Sequence, residues 1–133
     1  LLFLNSAWAN VGDASGLQPS AADGNFYVSL HTADPGEAGT QTTSEATYTS
    51  YARVAVTRDA AGFTRSTSTI SNTATVTFPE CTGGSNTITY FAIGTASSGT
   101  GSIIVSGALS TSRSISDGIT PLFNAGTLAA TVD

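Results

Sequence analysis

Tyr27-Val28-Ser29-Leu30-His31-Thr32-Ala33-Asp34-Pro35-Gly36-Glu37-Ala38-Gly39, followed shortly by Tyr51-Ala52-Arg53-Val54, reads as a strand running into a turn and then a second strand. Phe26, Val28 and Leu30 alternate with Tyr27, Ser29 and His31, so one face of the first segment is apolar and the other polar, the period-two signature of a half-buried strand. The turn follows from three residues. Pro35 fixes its own φ near the value of a turn's second position, Gly36 accepts a positive φ, and the Asp34 carboxylate can accept a hydrogen bond from the backbone two residues on.

Outward from this stretch, strand candidates recur at 51–57, 73–78, 87–95, 102–109 and 127–132, with weaker ones near 113–116 and 119–123. Ala74, Val76 and Phe78 alternate with Thr73, Thr75 and Thr77. Phe91 and Ile93 oppose Tyr90 and Ala92, and Ile103, Val105, Gly107 and Leu109 share a face. Short strands separated by turn signals, with almost no helical periodicity, predict an all-β chain, an antiparallel β-sandwich or jelly-roll-like barrel. Residues 1–25 are expected to form an N-terminal arm, either a short helix lined by Leu1, Leu2, Leu4, Trp8 and Val11 or an extended segment. Residues 26–133 are expected to form a single β domain. Leu1-Leu2-Phe3-Leu4 lacks a preceding basic region, so it fits a secretory signal poorly and is expected to pack.

Composition bounds the function. Of 133 residues only 10% are charged, and Arg53, Arg58, Arg65 and Arg113 are the four basic residues against nine acidic ones, a formal net charge of -5. Nucleic-acid binding is disfavoured, because neutralising phosphates needs a clustered basic surface. No apolar run approaches the roughly 18 residues of a membrane-spanning helix. The single Cys81 permits no intrachain disulfide, and with one histidine there is no zinc framework. Ser and Thr carry the polar surface, leaving little charge to keep sheet edges apart, which favours life inside an assembly.

Catalytic arrangements find little support. Ser29, His31 and Asp34 are near in sequence, but no Gly-x-Ser-x-Gly elbow is present, and His31 is expected to hydrogen-bond a neighbour. Asp34, Glu37, Glu45, Asp59 and Glu80 lie in or near loops, where nothing sets two of them across a groove. Asp13, Asp23 and Asp117 are isolated, so no calcium loop is expected. The glycine-containing loops at 79–86 and 95–102 lack a P-loop lysine and a following helix. No enzyme activity, cofactor or metal is expected.

Arg53 stands out because it interrupts an otherwise apolar strand. One reading places it on an exposed sheet face with its stem over Tyr51. The other gives it a bidentate contact with a carboxylate of a neighbouring subunit, such as Glu37 or Glu45 of the long 36–50 loop. With Phe3 and Trp8 of the arm and Asp34 of the turn, these residues are the candidate interface.

The words Tyr27-Val28-Ser29-Leu30-His31-Thr32-Ala33-Asp34-Pro35-Gly36-Glu37, Tyr51-Ala52-Arg53-Val54-Ala55-Val56, Phe91-Ala92-Ile93-Gly94-Thr95-Ala96 and Gly126-Thr127-Leu128 together resemble a family of small virion proteins of tailed bacteriophages, often labelled tail-fibre-like. The resemblance covers almost the whole chain. It departs in the Ser-rich segment Arg65 to Ser71 and in the lack of basic residues toward the C-terminus. It implies a non-enzymatic structural role in the virion. An elongated shaft would need repeats or coiled-coil heptads, and neither is present. A compact acidic β domain with long loops points instead to a capsid decoration or cement protein on the outer head surface. It would bind the major capsid protein and copies of itself, as trimers at threefold positions or as dimers. The alternative is a tail-fibre or tail-tip component acting in host adsorption, with tail proteins or host glycans as partners and Tyr27, Tyr48, Tyr51 or Tyr90 as sugar contacts.

Overall fold

The computed structural model describes residues 24–57, 61–66 and 69–131. Every regular element among them is a strand. These are β1 (Asn25–His31), β2 (Val54–Thr57), β3 (Phe63–Ser66), β4 (Thr69–Asn72), β5 (Val76–Thr77), β6 (Ser85–Gly94), β7 (Ile103–Ser116), β8 (Leu122–Phe123) and β9 (Ala129–Thr131). They form a four-stranded sheet in the order β2-β1-β6-β7, a three-stranded sheet β3-β4-β9 and a two-stranded ribbon β5-β8. The expected all-β, antiparallel chain is what the strands form. The arm expected at residues 1–25, with Phe3 and Trp8, lies outside the described residues but for its last two positions.

The chain divides into two compact units. One comprises Tyr27–Ala55 and Thr77–Leu122; the other comprises the described parts of Leu1–Phe26, Val56–Val76 and Phe123–Asp133. In the first, β1 and β6 pair antiparallel with Val28 opposite Ile93 and Leu30 opposite Phe91, so these four side chains share one face of the sheet and are all buried. The pairing continues into β7, where Gly107 faces Phe91 and Val105 faces Ile93. Gly107 is required by close approach: a Cβ there would sit 2.8 Å from the Phe91 ring, which lies over that position. The opposite face carries Ser29, His31, Ala92 and Gly94, and these too are buried. A half-buried strand was expected, and β1 is instead covered on both faces over Val28–His31.

In the second unit, β3 and β4 form a hairpin with Phe63 opposite Asn72, and β4 also pairs with β9. Phe63 packs against Phe26 at a centroid distance of 6.1 Å. Asn72 is buried and brackets the chain before β9: its Nδ2 donates to Ala74 O and Asn124 O at 2.8 and 3.0 Å, and its Oδ1 accepts from Leu128 N at 3.0 Å.

Several strand bounds differ from those the sequence suggests. The 51–57 candidate is regular only from Val54; before it, the Tyr51 and Arg53 side chains are engaged by Glu45 of the loop described below, while Ala52 is exposed. Within 73–78 only Val76–Thr77 pairs, and Ala74 is exposed; the preceding strand is β4, whose Thr-Ile-Ser-Asn sequence lacks apolar alternation. The candidates at 102–109 and 113–116 are one strand interrupted by a bulge, since Ile88 faces Arg113 while Tyr90 already faces Ala108.

Candidate functional site

The long connection from β1 to β2 folds back over the polar face of β1 within the first unit. Residues 44–46 run beside the end of β1, with Thr32 N donating to Ser44 O and Ala46 N to Leu30 O, each at 2.8 Å, and an isolated antiparallel bridge between His31 and Glu45. This covering explains why Ser29 and His31 are buried: they are satisfied by the loop rather than by water. His31 Nδ1 lies 2.8 Å from the Thr43 carbonyl, which can only accept, so Nδ1 carries the proton and Nε2 accepts from Ser29 Oγ at 2.9 Å. Burial pushes the His31 pKa down, opposed by the Thr43 hydrogen bond and by Glu45. Ser29 and His31 have no access to a substrate, being fully covered.

Arg53 and Glu45 lock the loop. Arg53 Nε and Nη2 donate to Glu45 Oε1 and Oε2 at 2.7 and 2.9 Å, the side chains being 3% and 15% exposed. The remaining donors reach the β6–β7 connection, Nη1 to Ala96 O at 2.9 Å and Nη2 to Gly99 O at 2.6 Å. The hydrogen bonds to Glu45 hold the guanidinium pKa above its ordinary value. Tyr51 completes the cluster by donating to Glu45 Oε1 at 2.9 Å and accepting from Leu30 N at 3.1 Å; burial raises its phenol pKa. Its ring stacks on Phe78 and meets Tyr48 edge-on.

Gln41 is a second fastener that sequence reasoning did not single out. Its side chain is fully buried, accepting from Ala96 N at 2.9 Å and donating to Tyr27 O at 3.4 Å, while its backbone N–H donates to Gly101 O. A Cβ at Gly94 or Gly101 would overlap the Gln41 amide, so those glycines make its seat. Asn86 is a third. Its Oδ1 accepts from both Thr47 N and Tyr48 N at 2.8 Å. A glutamine among threonines gives no sequence signal of this kind, whereas glycines at 94 and 101, flanking a tight connection, are the trace such a close approach leaves.

What the fasteners hold outward is the turn. Asp34 Oδ1 accepts from Gly36 N at 2.9 Å, Gly36 has φ +74°, and Gly39 N closes onto Gly36 O, the turn chemistry that the three residues dictate. Asp34 and Glu37 are exposed there. The candidate interface residues therefore part company: Asp34 and Glu37 lie on the surface, while Glu45 and Arg53 meet in a bidentate pair made within one chain. Arg53 is neither on an exposed sheet face nor left to a neighbour's carboxylate. Of the four tyrosines proposed as sugar contacts, Tyr48 is 3% exposed with its hydroxyl donated to Pro79 O, and Tyr51 is engaged as above, leaving Tyr27 and Tyr90 half-exposed.

Among the described residues no three metal-ligating side chains cluster, and no helix is long and apolar enough to cross a membrane. Fold and site define a small antiparallel β protein whose buried polar groups around Arg53, Gln41 and His31 hold the long loop after β1 in shape. The family model described as Podophage GP4 fiber I protein gp80 matches residues 13–131. The chain belongs to that family, and is thus a component of a tailed-phage virion with a fibre-like label. Among curated proteins it has no match.

Proposed function

We propose that this protein is a non-enzymatic fibre component of the virion, located at the tail and serving host adsorption. The observation that carries the reading is the match of residues 13–131 to a fibre protein family. The geometry supports it in kind: the network around Arg53 and Gln41 stiffens loops that would otherwise cost binding entropy, and a preorganised loop surface is what an attachment domain requires. The compactness and acidity that suggest a cement protein on the head suit a globular domain of a fibre equally well, so they do not choose between the two, and the family description favours the fibre. In the fibre role its partners are other tail proteins and a receptor on the host surface, with Tyr27, Tyr90 and the Asp34–Glu37 turn as candidate contacts.

The test is removal of the protein from the particle. Particles lacking it should keep heads that resist heat and chelator as before and should adsorb poorly to host cells. Heads that rupture, with adsorption unchanged, would instead establish the decoration role.

A further inference from the structure

β7 ends at Ser116 in a turn whose first residues are Asp117-Gly118, both exposed. Gly118 stands at φ +87°, and no atom lies near the place where a Cβ would project. An aspartate followed by glycine can close a ring on itself, because glycine has no side chain to hinder the closure. The Gly118 nitrogen would attack the Asp117 carboxyl carbon, an N–C bond would form, and the side-chain hydroxyl would leave with the amide proton as water. Water then opens either carbonyl of the resulting imide. One opening restores aspartate; the other gives isoaspartate, in which the main chain runs through the former side chain and is longer by one methylene.

In the fold the nitrogen that must react is engaged. Gly118 N donates to Cys81 O and Cys81 N donates back to Ile119 O, each at 2.8 Å, while Phe78 N donates to Pro121 O at 2.9 Å. Residues 118–121 thus hang on residues 78–81, and the carbonyl that takes the Gly118 proton belongs to a fully buried residue. The hanging segment is itself lightly held. Asp117 to Thr120 are all exposed, and Ile119 and Leu122 are the large apolar side chains left open to solvent among the described residues, so little burial opposes its release.

We propose that Asp117-Gly118 is a modification site gated by the fold, where aspartate isomerises when residues 118–121 release from 78–81. The extra methylene then carries Gly118 N out of register with Cys81 O, so the modified segment cannot dock as before. The change records each release irreversibly, whether the protein sits on the head or the tail.

The experiment incubates the full chain at neutral pH, folded and in denaturing urea, and follows isoaspartate by methyltransferase labelling and peptide mapping. Mapping separates Asp117 from Asp23-Gly24, the other Asp-Gly pair of the chain. Isoaspartate at Asp117 should form about tenfold or more slowly in the folded chain than in urea, by the factor that hydrogen exchange of the Gly118 amide gives for local opening. Isolated modified chains should exchange faster at the Gly118 and Cys81 amides. Asp117→Glu, a change on an exposed side chain, should remove the signal from that peptide and keep the wild-type melting temperature. Equal rates in the folded and unfolded chain, no isoaspartate in urea, a folded rate unrelated to Gly118 exchange, a signal that survives Asp117→Glu, or modified chains that exchange as wild type would each overturn it.

Discussion

Arg53 and Glu45, eight residues apart in sequence, form a bidentate pair at 2.7 and 2.9 Å, and the same guanidinium holds the carbonyls of Ala96 and Gly99. One side chain thereby ties the loop after β1 to the connection between β6 and β7. Because the guanidinium is almost fully covered, its value lies less in net attraction than in what its removal would leave behind: a carboxylate held only by the Tyr51 hydroxyl and two carbonyls stripped of its hydrogen bonds.

Arg53→Ala should therefore lower unfolding free energy by about 3–5 kcal/mol, the usual cost of breaking a buried pair. Arg53→Lys should recover only part of this, since an ammonium cannot reproduce the two-pronged fork. A double replacement, Arg53→Met with Glu45→Leu, should cost less than the sum of its single changes. Urea unfolding of the four proteins measures it, and strict additivity would show that the pair does not couple.

Gly94→Ala should destabilise by about 1–3 kcal/mol through overpacking against the Gln41 amide. Combining it with Gln41→Ala should be less damaging than the two single losses added together, because truncating Gln41 vacates the space the new methyl needs. Thermal unfolding of the cycle reads this directly.

Acid should weaken the fold through His31. Its pKa is lowered by burial in the native state, whereas the unfolded side chain titrates near 6.5. Below that pH the unfolded chain takes up a proton that the native chain refuses, so the stabilisation, complete above about 6.5, is lost as pH falls toward the native pKa. Stability measured between pH 8 and pH 5 should fall toward acid, at about those values, with the His31→Gln variant losing less over the same range. Equal pH profiles would contradict the assignment of His31 as a buried neutral imidazole.

Asn72→Ala should cost about 1–3 kcal/mol, because it strands the Leu128 amide and two carbonyls that the side chain now satisfies. Asn72→Asp should be nearly as damaging, since a carboxylate would meet the carbonyls of Ala74 and Asn124 where an amide now donates. Amide exchange at Leu128 in each variant is the specific reading.

How far these features are legible in the sequence depends on their range. The Asp34-Pro35-Gly36 turn is local chemistry, and it forms as its residues dictate. β1 and β6 are long alternating runs and stand out for the same reason. β3 and β4 do not, because Phe63-Thr64-Arg65-Ser66 and Thr69-Ile70-Ser71-Asn72 carry one apolar residue each and resemble loop. The continuity of β7 is hidden by its bulge, whose Ser-Thr-Ser sequence reads as a break. Arg53 is conspicuous, but which carboxylate it meets depends on the fold-back of residues 44–46, and no pattern in the sequence encodes that. Gln41 is the hardest, since its seat is made by Ala96, Gly94 and Gly101, more than fifty residues away, together with the Tyr27 carbonyl.

The central claim, that this protein is a fibre component of the virion, is tested most directly by counting its copies per purified particle against the major capsid protein. A fibre component should be present in a small number of copies, set by the symmetry of the tail. A number comparable to that of the major capsid protein would contradict the claim and place the protein on the head lattice.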